Sequence, residues 1–279
     1  MSSRSTPMHR VFLILLTGTA PLMAVAQTDR EPDVGYVVTP DPVVTAMLEL
    51  AAVGPDDLVV DLGSGDGRIP IVAARDFGAT GWGVEINRDL VIRSKKRAEE
   101  DGVADRVHFD HADIFETDFS QANVVALYLL PELNLRLRPQ ILAMAPGTRV
   151  VSHEFDMGDW SPDRKEQVGN RPIYLWMVPI RIAGDWVISD GENRLKLSLE
   201  QNFQHFGGRA RWEDGESAVR DARIDGNAFS FSLQLDGKWL VFRGRATGDS
   251  IEQLESAPAL SGFRPLTQWE MTRVTAADD

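Results

Sequence analysis

Two kinds of hydrophobic spacing divide the chain. Val43, Val44, Met47, Leu48 and Ala51 recur three and four apart behind Asp41-Pro42 and stop at Gly54, which predicts a helix with proline in its first turn. Residues 58–61 form a short apolar run entering a glycine-rich turn, and 69–76 read as a helix closed by Gly78. The unit then repeats, with a strand over 81–85, a charged amphipathic helix over 89–100 closed by Gly102, and a third strand over 107–110. Residues 124–130 are continuously apolar, as a strand buried on both faces of a parallel sheet should be. Next come a helix over 131–145 kinked by Pro139, a fifth strand over 149–152, and a hairpin pairing 165–168 with 173–178. Strands alternating with helices from 40 to 180 predict a three-layer α/β fold around a mostly parallel sheet.

Past about residue 182 the period falls to two. Leu195, Leu197 and Leu199 alternate with Lys196, Ser198 and Glu200, and Phe229, Phe231, Leu233 and Leu235 alternate with Ser230, Ser232, Gln234 and Asp236. Asp-Gly pairs at 190–191, 214–215, 225–226 and 236–237 are hairpin signals. This stretch predicts a separate all-β module of seven or eight short antiparallel strands, a small barrel or sandwich.

Composition narrows the chemistry. The 279 residues are 43% hydrophobic and 25% charged, the balance of a soluble globular chain. The absence of cysteine excludes disulfide scaffolds, thiolate metal sites and thiol nucleophiles. A net charge of −13 argues against nucleic acid and anionic membranes as partners and suits a neutral or cationic one. At the N-terminus, Arg4 and Arg10 precede an apolar run over 11–16, and Ala24-Val25-Ala26 supplies the small residues that a signal peptidase reads. The apolar run is shorter than the ~20 residues of a transmembrane helix. The pattern predicts a signal peptide over 1–26, cleaved after Ala26, and a periplasmic or secreted mature chain without a stable membrane span. An uncleaved N-terminal anchor is the alternative.

The turn after the first strand is Asp61-Leu62-Gly63-Ser64-Gly65-Asp66-Gly67. Glycines there let a ligand approach the backbone, and the following helix offers its positive N-terminus. A dinucleotide fingerprint needs glycine where Arg68 stands, and an acid heading the turn is repulsive to a pyrophosphate but suits an ammonium. Glu85 ends the second strand, where a carboxylate can accept from both ribose hydroxyls, and Ile86 can lie on a purine face. Asp113, past the third strand, can accept from an exocyclic amine between Ala112 and Ile114. Read singly, Glu85 also fits a solvated strand-end acid and Asp113 a helix N-cap. Together, at the carboxyl ends of three consecutive strands, they describe a pocket for an adenosine carrying an amino-acid tail.

On these residues the chain resembles the class I S-adenosylmethionine-dependent methyltransferases over about 34–180. Asp61 to Gly67 looks like their first motif, Glu85 like their ribose acid and Asp113 like their adenine-side acid. Tyr36-Val37-Val38-Thr39-Pro40 and Tyr128-Leu129-Leu130-Pro131-Glu132-Leu133-Asn134 extend the likeness to small bacterial enzymes related to the ATP synthase c-subunit lysine methyltransferases and, more distantly, to the non-SET histone lysine methyltransferases. The resemblance implies a seven-stranded Rossmann-like sheet over 27–181 followed by the β module over 182–279. It also implies S-adenosyl-L-methionine as cofactor, held by the first motif with Ser64, Asp66, Ile86 and Ile114, and with Tyr36 and Thr39 over its methionine end. Tyr128 and Pro131 would border the catalytic, acceptor side, and the acceptor would be a protein lysine or a small molecule. The Asp/Asn-Pro-Pro-aromatic motif of many DNA-base and glutamine methyltransferases does not match Tyr128 to Pro131. A non-catalytic exported binding protein that keeps a nucleoside pocket is the alternative function.

No metal is expected. His153, Glu154 and Asp156 read as a solvated strand exit, and His108 and His111 as structural. Gly184-Asp185-Trp186 with the late Arg273 resembles the lipocalin-like barrels, although the span is shorter than theirs.

Overall fold

The structure, a computed structural model, describes residues 37–247, 250–258 and 267–274. The export-signal prediction and Tyr36 lie outside these residues. The first helix, α1 (Asp41–Leu50), carries Pro42 in its first turn and buries Val43, Val44, Met47 and Leu48, each at most 2% exposed. At about 1.5–3 kcal/mol per fully buried aliphatic side chain, that stripe pins α1 to the sheet. Strands and helices then alternate: β1 (Leu58–Leu62), α2 (Arg68–Phe77), β2 (Thr80–Glu85), α3 (Arg88–Glu100), β3 (Val107–His111), β4 (Val124–Leu127), α4 (Pro131–Leu142) and β5 (Arg149–His153). A hairpin of β6 (Arg164–Val168) and β7 (Arg171–Met177) closes the sheet, whose strand order is β3-β2-β1-β4-β5-β7-β6.

Strands β1 to β5 pair in parallel and β7 joins antiparallel to both β5 and β6. Both faces are covered. Val60, Leu62, Val125 and Leu127 pack with Leu137 and Ile141 of α4, while Val59, Val124 and Ala126 pack under α1 and α2. The strand order reverses where β1 is flanked by β2 on one side and β4 on the other, and ligands of open α/β sheets bind at such a point.

Two sequence expectations need correction here. The apolar run over 124–130 is a strand only to Leu127, because the chain must leave the sheet to enter α4 at Pro131. That helix also ends at Leu142, earlier than its apolar pattern suggested.

Nine strands, one more than the upper expectation, form the second sheet: β8 (Gly184–Ser189), β9 (Arg194–Asn202), β10 (His205–Trp212), β11 (Gly215–Ala218), β12 (Arg220–Asp225), β13 (Ala228–Leu235), β14 (Lys238–Thr247), β15 (Ser250–Pro258) and β16 (Thr267–Arg273). They run as an antiparallel meander in which β16 returns to pair with β8. The open seam between β11 and β12 is narrowed by Ile224 N–H donating to Gln204 O at 3.3 Å and Gln234 N–H donating to Ser217 Oγ at 2.9 Å, so the sheet is nearly a closed barrel. Its interior is filled: Phe229, Phe231 and Phe242 stack in series, and Trp269 meets Phe242 edge-on. Arg273 lies over the Trp186 ring at 4.3 Å and donates to Ala183 O and Arg181 O, its guanidinium packed close to Gly184, whose φ of +118° suits glycine.

Of the four Asp-Gly pairs, Asp236-Gly237 forms a two-residue hairpin loop, both residues with positive φ, as that turn requires. At 214–215 and 225–226 the pair straddles a strand end, and the 190–191 pair begins a four-residue loop.

Candidate active site

The glycine turn folds back on β2: Gly63 N–H and Ser64 N–H both donate to Val84 O, at 2.9 and 3.0 Å. Gly67 has φ +75°, and a Cβ there would lie 2.6 Å from the Phe109 ring and 2.8 Å from Ser94 Cβ. The last glycine of the motif therefore serves the packing of β3 and α3 against the loop. Ser94 itself, fully buried, donates to Gly65 O at 3.0 Å and to Leu90 O at 2.9 Å. It is a loop-bracing residue that no sequence signal marked, because a serine inside a charged helix looks unremarkable.

Acids of the turn divide by role. Asp66 accepts from Arg68 Nε and Nη2 at 2.9 and 2.7 Å and from Arg97 Nη1 at 2.7 Å, so it clamps α2 and α3 together. Arg68 also donates to Thr39 O at 2.8 Å, drawing the segment before α1 over the loop. The residue that broke the dinucleotide spacing is thus a strap across the site. Asp61 is 3% exposed yet lines the crevice, and burial beside the carboxylates of Glu85 and Asp66 pushes its pKa well above the usual range. A cation placed against it would relieve that penalty.

Glu85 is buried, which removes the solvated strand-end alternative. Its Oε2 accepts Gly65 N–H at 2.9 Å and its Oε1 accepts Asn87 N–H at 2.8 Å. Each oxygen keeps one lone-pair direction, which is what a pair of ribose hydroxyls needs. Ile86, beside it, is partly buried, with its carbonyl oxygen 2.8 Å from His111 Nε2. Asp113 is 5% exposed, and its Oδ1 caps a turn by accepting Phe115 N–H at 2.9 Å, the capping alternative in its local form. Ile114 packs against the core face of the sheet. The Ser64 hydroxyl is buried against Gly83 with no hydrogen bond among the described residues, so this residue meets the crevice through its backbone.

One crevice joins Val37, Val38 and Thr39 to Asp61, Gly63, Gly65 and Tyr128. The β1/β4 adjacency brings the last of these to the glycine turn, with Leu62 paired to Leu127 one residue before Tyr128. Pro131 opens α4 three residues on and does not line the crevice itself. Thr39 Oγ1 lies 3.3 Å from His153 Nδ1, so its side chain faces β5.

The expected solvated exit at 153–156 holds for Glu154 and Asp156, which are exposed, and fails for His153. His153 is 0% exposed, its ring tilted 36° against that of Tyr128 with centroids 4.0 Å apart, and burial together with the Arg171 charge pushes its pKa down to about 4. It is neutral at physiological pH, and Arg171 Nη1 at 3.5 Å from Nε2 leaves Nδ1–H to face Thr39. The Tyr128 hydroxyl donates to Glu154 Oε2 at 3.0 Å, and burial and that carboxylate hold the phenol above its ordinary pKa. Among the described residues no His, Asp and Glu cluster is arranged to hold a metal.

The loop after β5 is buttressed by the second sheet. Trp160 stacks on Phe203 at 5.8 Å and donates from Nε1 to Gln204 Oε1 at 2.8 Å, while Gln204 Nε2 donates to Asp163 Oδ2 at 2.8 Å. Phe203 and Gln204 are the two-residue loop between β9 and β10.

A family model described as the ANTKMT methyltransferase domain matches residues 61–164. The protein-lysine N-methyltransferase of Saccharolobus islandicus is 43% identical over 153 residues, covering 53% of this chain and 95% of that protein. The ATP synthase c-subunit lysine N-methyltransferase of Homo sapiens is 37% identical over 119 residues, and the match spans about half of that protein, 51%, and 42% of this chain. Among solved structures, the RNA methyltransferase from Salinibacter ruber in complex with S-adenosyl-L-homocysteine is 54% identical, covers 52% of this chain and 96% of that one, and superposes with a TM-score of 0.52.

Proposed function

The chain belongs to the S-adenosylmethionine-dependent methyltransferase family that includes the Saccharolobus lysine enzyme, and from that premise we propose that it methylates the ε-amine of a protein lysine. The observation that carries the cofactor side is the pairing of a buried, cation-seeking Asp61 with Glu85, whose carboxylate is braced by two backbone N–H groups at the switch point. Asp61 would face the ammonium of the cofactor's methionine tail and Glu85 the ribose, with Ile86 and Asp113 toward the adenine and Thr39 holding the segment that covers the tail. When bound there, the cofactor would supply an electrophilic sulfonium methyl for an acceptor's nitrogen lone pair, with the thioether as leaving group.

The protein's share is to position the amine and keep it neutral. A protonated ammonium has no lone pair, and an aromatic, water-poor wall favours the uncharged form. Tyr128, packed against neutral His153 and lining the crevice with Val37 and Val38, is that wall. Pro131 fixes the start of α4 behind it. The lysine assignment draws on the names of the relatives, while the Salinibacter enzyme is named for RNA. The chain's net charge of −13 favours a cationic protein acceptor over RNA.

Incubation of the purified chain with labelled S-adenosylmethionine and a protein extract, followed by acid hydrolysis, should release methyllysine, and Gly65→Arg should abolish it. Binding of S-adenosylhomocysteine without any methyllysine would refute the acceptor while leaving the cofactor site intact. We also propose export of the chain after cleavage at Ala26, tested by N-terminal sequencing of the mature protein for a start at Gln27.

A further inference from the structure

Glu154, which accepts a hydrogen bond from the crevice-lining Tyr128, is held with a left-handed backbone at φ +69°. Three hydrogen bonds enforce it: Glu154 N–H to Pro172 O at 2.8 Å, Phe155 N–H to His153 O at 2.8 Å, and Ser152 Oγ to Phe155 O at 2.6 Å. A side chain in this region is strained, and such strain persists where surrounding structure over-determines it, often at functional sites. Its consequence here is directional, since the turn aims the carboxylate at the Tyr128 hydroxyl, 3.0 Å away on the crevice wall. The Glu154 side chain is 42% exposed, so a ligand can reach it from solvent. Arg171 lies 3.8 Å away and shares its charge without a close contact. Tyr128 shares the crevice wall with Val37, 65% exposed, and Val38, 38% exposed, an apolar rim beside the hydroxyl that Glu154 holds.

We propose that Glu154 is the docking point for the acceptor's ammonium, with the apolar rim taking the aliphatic stem of the lysine. The inference rests on the lysine reading above. Charged amines are recruited at the mouth by the carboxylate. Moving from Glu154 onto the Tyr128 ring, the ammonium gives up one proton to water at the mouth, and its lone pair becomes available to the methyl donor. A carboxylate at the rim with an aromatic wall inside separates capture of the cation from use of the neutral amine. The strained turn is thus retained for the position of one charge.

Two variants and two probes test this in the full chain. Glu154→Gln keeps an acceptor for the Tyr128 hydroxyl and removes the charge; it should raise the apparent KM for extract protein about two- to fivefold, leave kcat within about twofold, and lower the salt dependence of KM. Binding of S-adenosylhomocysteine should not change. Glu154→Gly should show the same rise in KM with an unchanged or raised melting temperature, because glycine accepts the left-handed backbone. A purely structural Glu154 would instead lower the melting temperature and leave KM alone, which overturns the proposal. The second probe is n-butylammonium, whose saturation-transfer signal on the chain loaded with S-adenosylhomocysteine should be lost in Glu154→Gln, while that of n-butanol is kept. Equal n-butylammonium signals in both proteins overturn the proposal whatever the methylation assay gives. Absence of methyllysine with a Glu154-dependent n-butylammonium signal would overturn only the lysine reading.

Discussion

Replacing Asp61 by asparagine keeps the shape of a buried side chain and removes its charge, which isolates what the carboxylate contributes. Asp61 is 3% exposed and its pKa is driven up by burial first, then by the charges of Glu85 and Asp66. A group whose pKa is higher in the folded than in the unfolded state contributes stability below its unfolded pKa, near 4, and loses it as pH rises through the folded value. The ligand-free chain should therefore lose stability as pH rises above about 4, through the titration of Asp61, and Asp61→Asn should flatten that slope. An ammonium bound against the carboxylate reverses the sign, because it favours the ionised form. A charge-assisted hydrogen bond of this kind contributes about 1.5–3 kcal/mol, or about 10–150-fold in Kd. Calorimetry with S-adenosylhomocysteine should show that loss in Asp61→Asn, and an affinity in the unaltered chain that strengthens with rising pH through the Asp61 titration. The analogue lacking the α-amino group should bind both proteins alike. Equal affinity of S-adenosylhomocysteine for the two proteins, or an equal loss with the amino-free analogue, would refute the Asp61–ammonium pairing.

Three further outcomes are expected. Gly67→Ala should lower stability by about 2–5 kcal/mol in a denaturant titration, from the left-handed backbone and the collision of its Cβ with Phe109 and Ser94. His153, pushed down to about 4, should make stability fall as pH drops from about 6.5 toward 4, and His153→Gln should remove that part of the acid limb. Gln204→Ala leaves Trp160 Nε1–H without its acceptor and takes from Asp163 Oδ2 one of its donors, Met177 N–H remaining, so it should cost about 1–3 kcal/mol and speed amide exchange in the loop after β5 more than in β1 or β4.

Local chemistry alone made much of this legible. The helical stripe of α1, the apolar run of β4 and the alternation of β9 and β13 are periodicities set by neighbours within a few residues, and they placed elements correctly to within a few positions. The motif of Asp61 to Gly67 and the strand-end acid Glu85 were visible because their chemistry depends on residue type at fixed spacing from a strand end. Less visible were residues whose role depends on a distant partner. Arg68 registered only as a departure from a dinucleotide pattern, although it ties Thr39 to the loop. His153 and Glu154 looked like ordinary polar residues leaving a strand, and the burial of the first and the backbone strain of the second come with the pairing to β7, which is joined by a hairpin that the local pattern could not orient.

By itself, then, the sequence determined the class of the fold, the division into a period-3.6 and a period-2 half, and an acid-headed glycine turn suited to an adenosyl amino acid. Each follows from side-chain size, charge and backbone freedom within short windows. Only the tertiary structure decided that β4 lies beside β1 and so puts Tyr128 against the glycine turn. It also decided that the barrel interior is filled by a phenylalanine stack, and that a two-residue hairpin loop of the barrel grips the loop behind the crevice. These facts are long-range because strand order and domain docking are fixed by burial summed over the whole chain, which no local window contains.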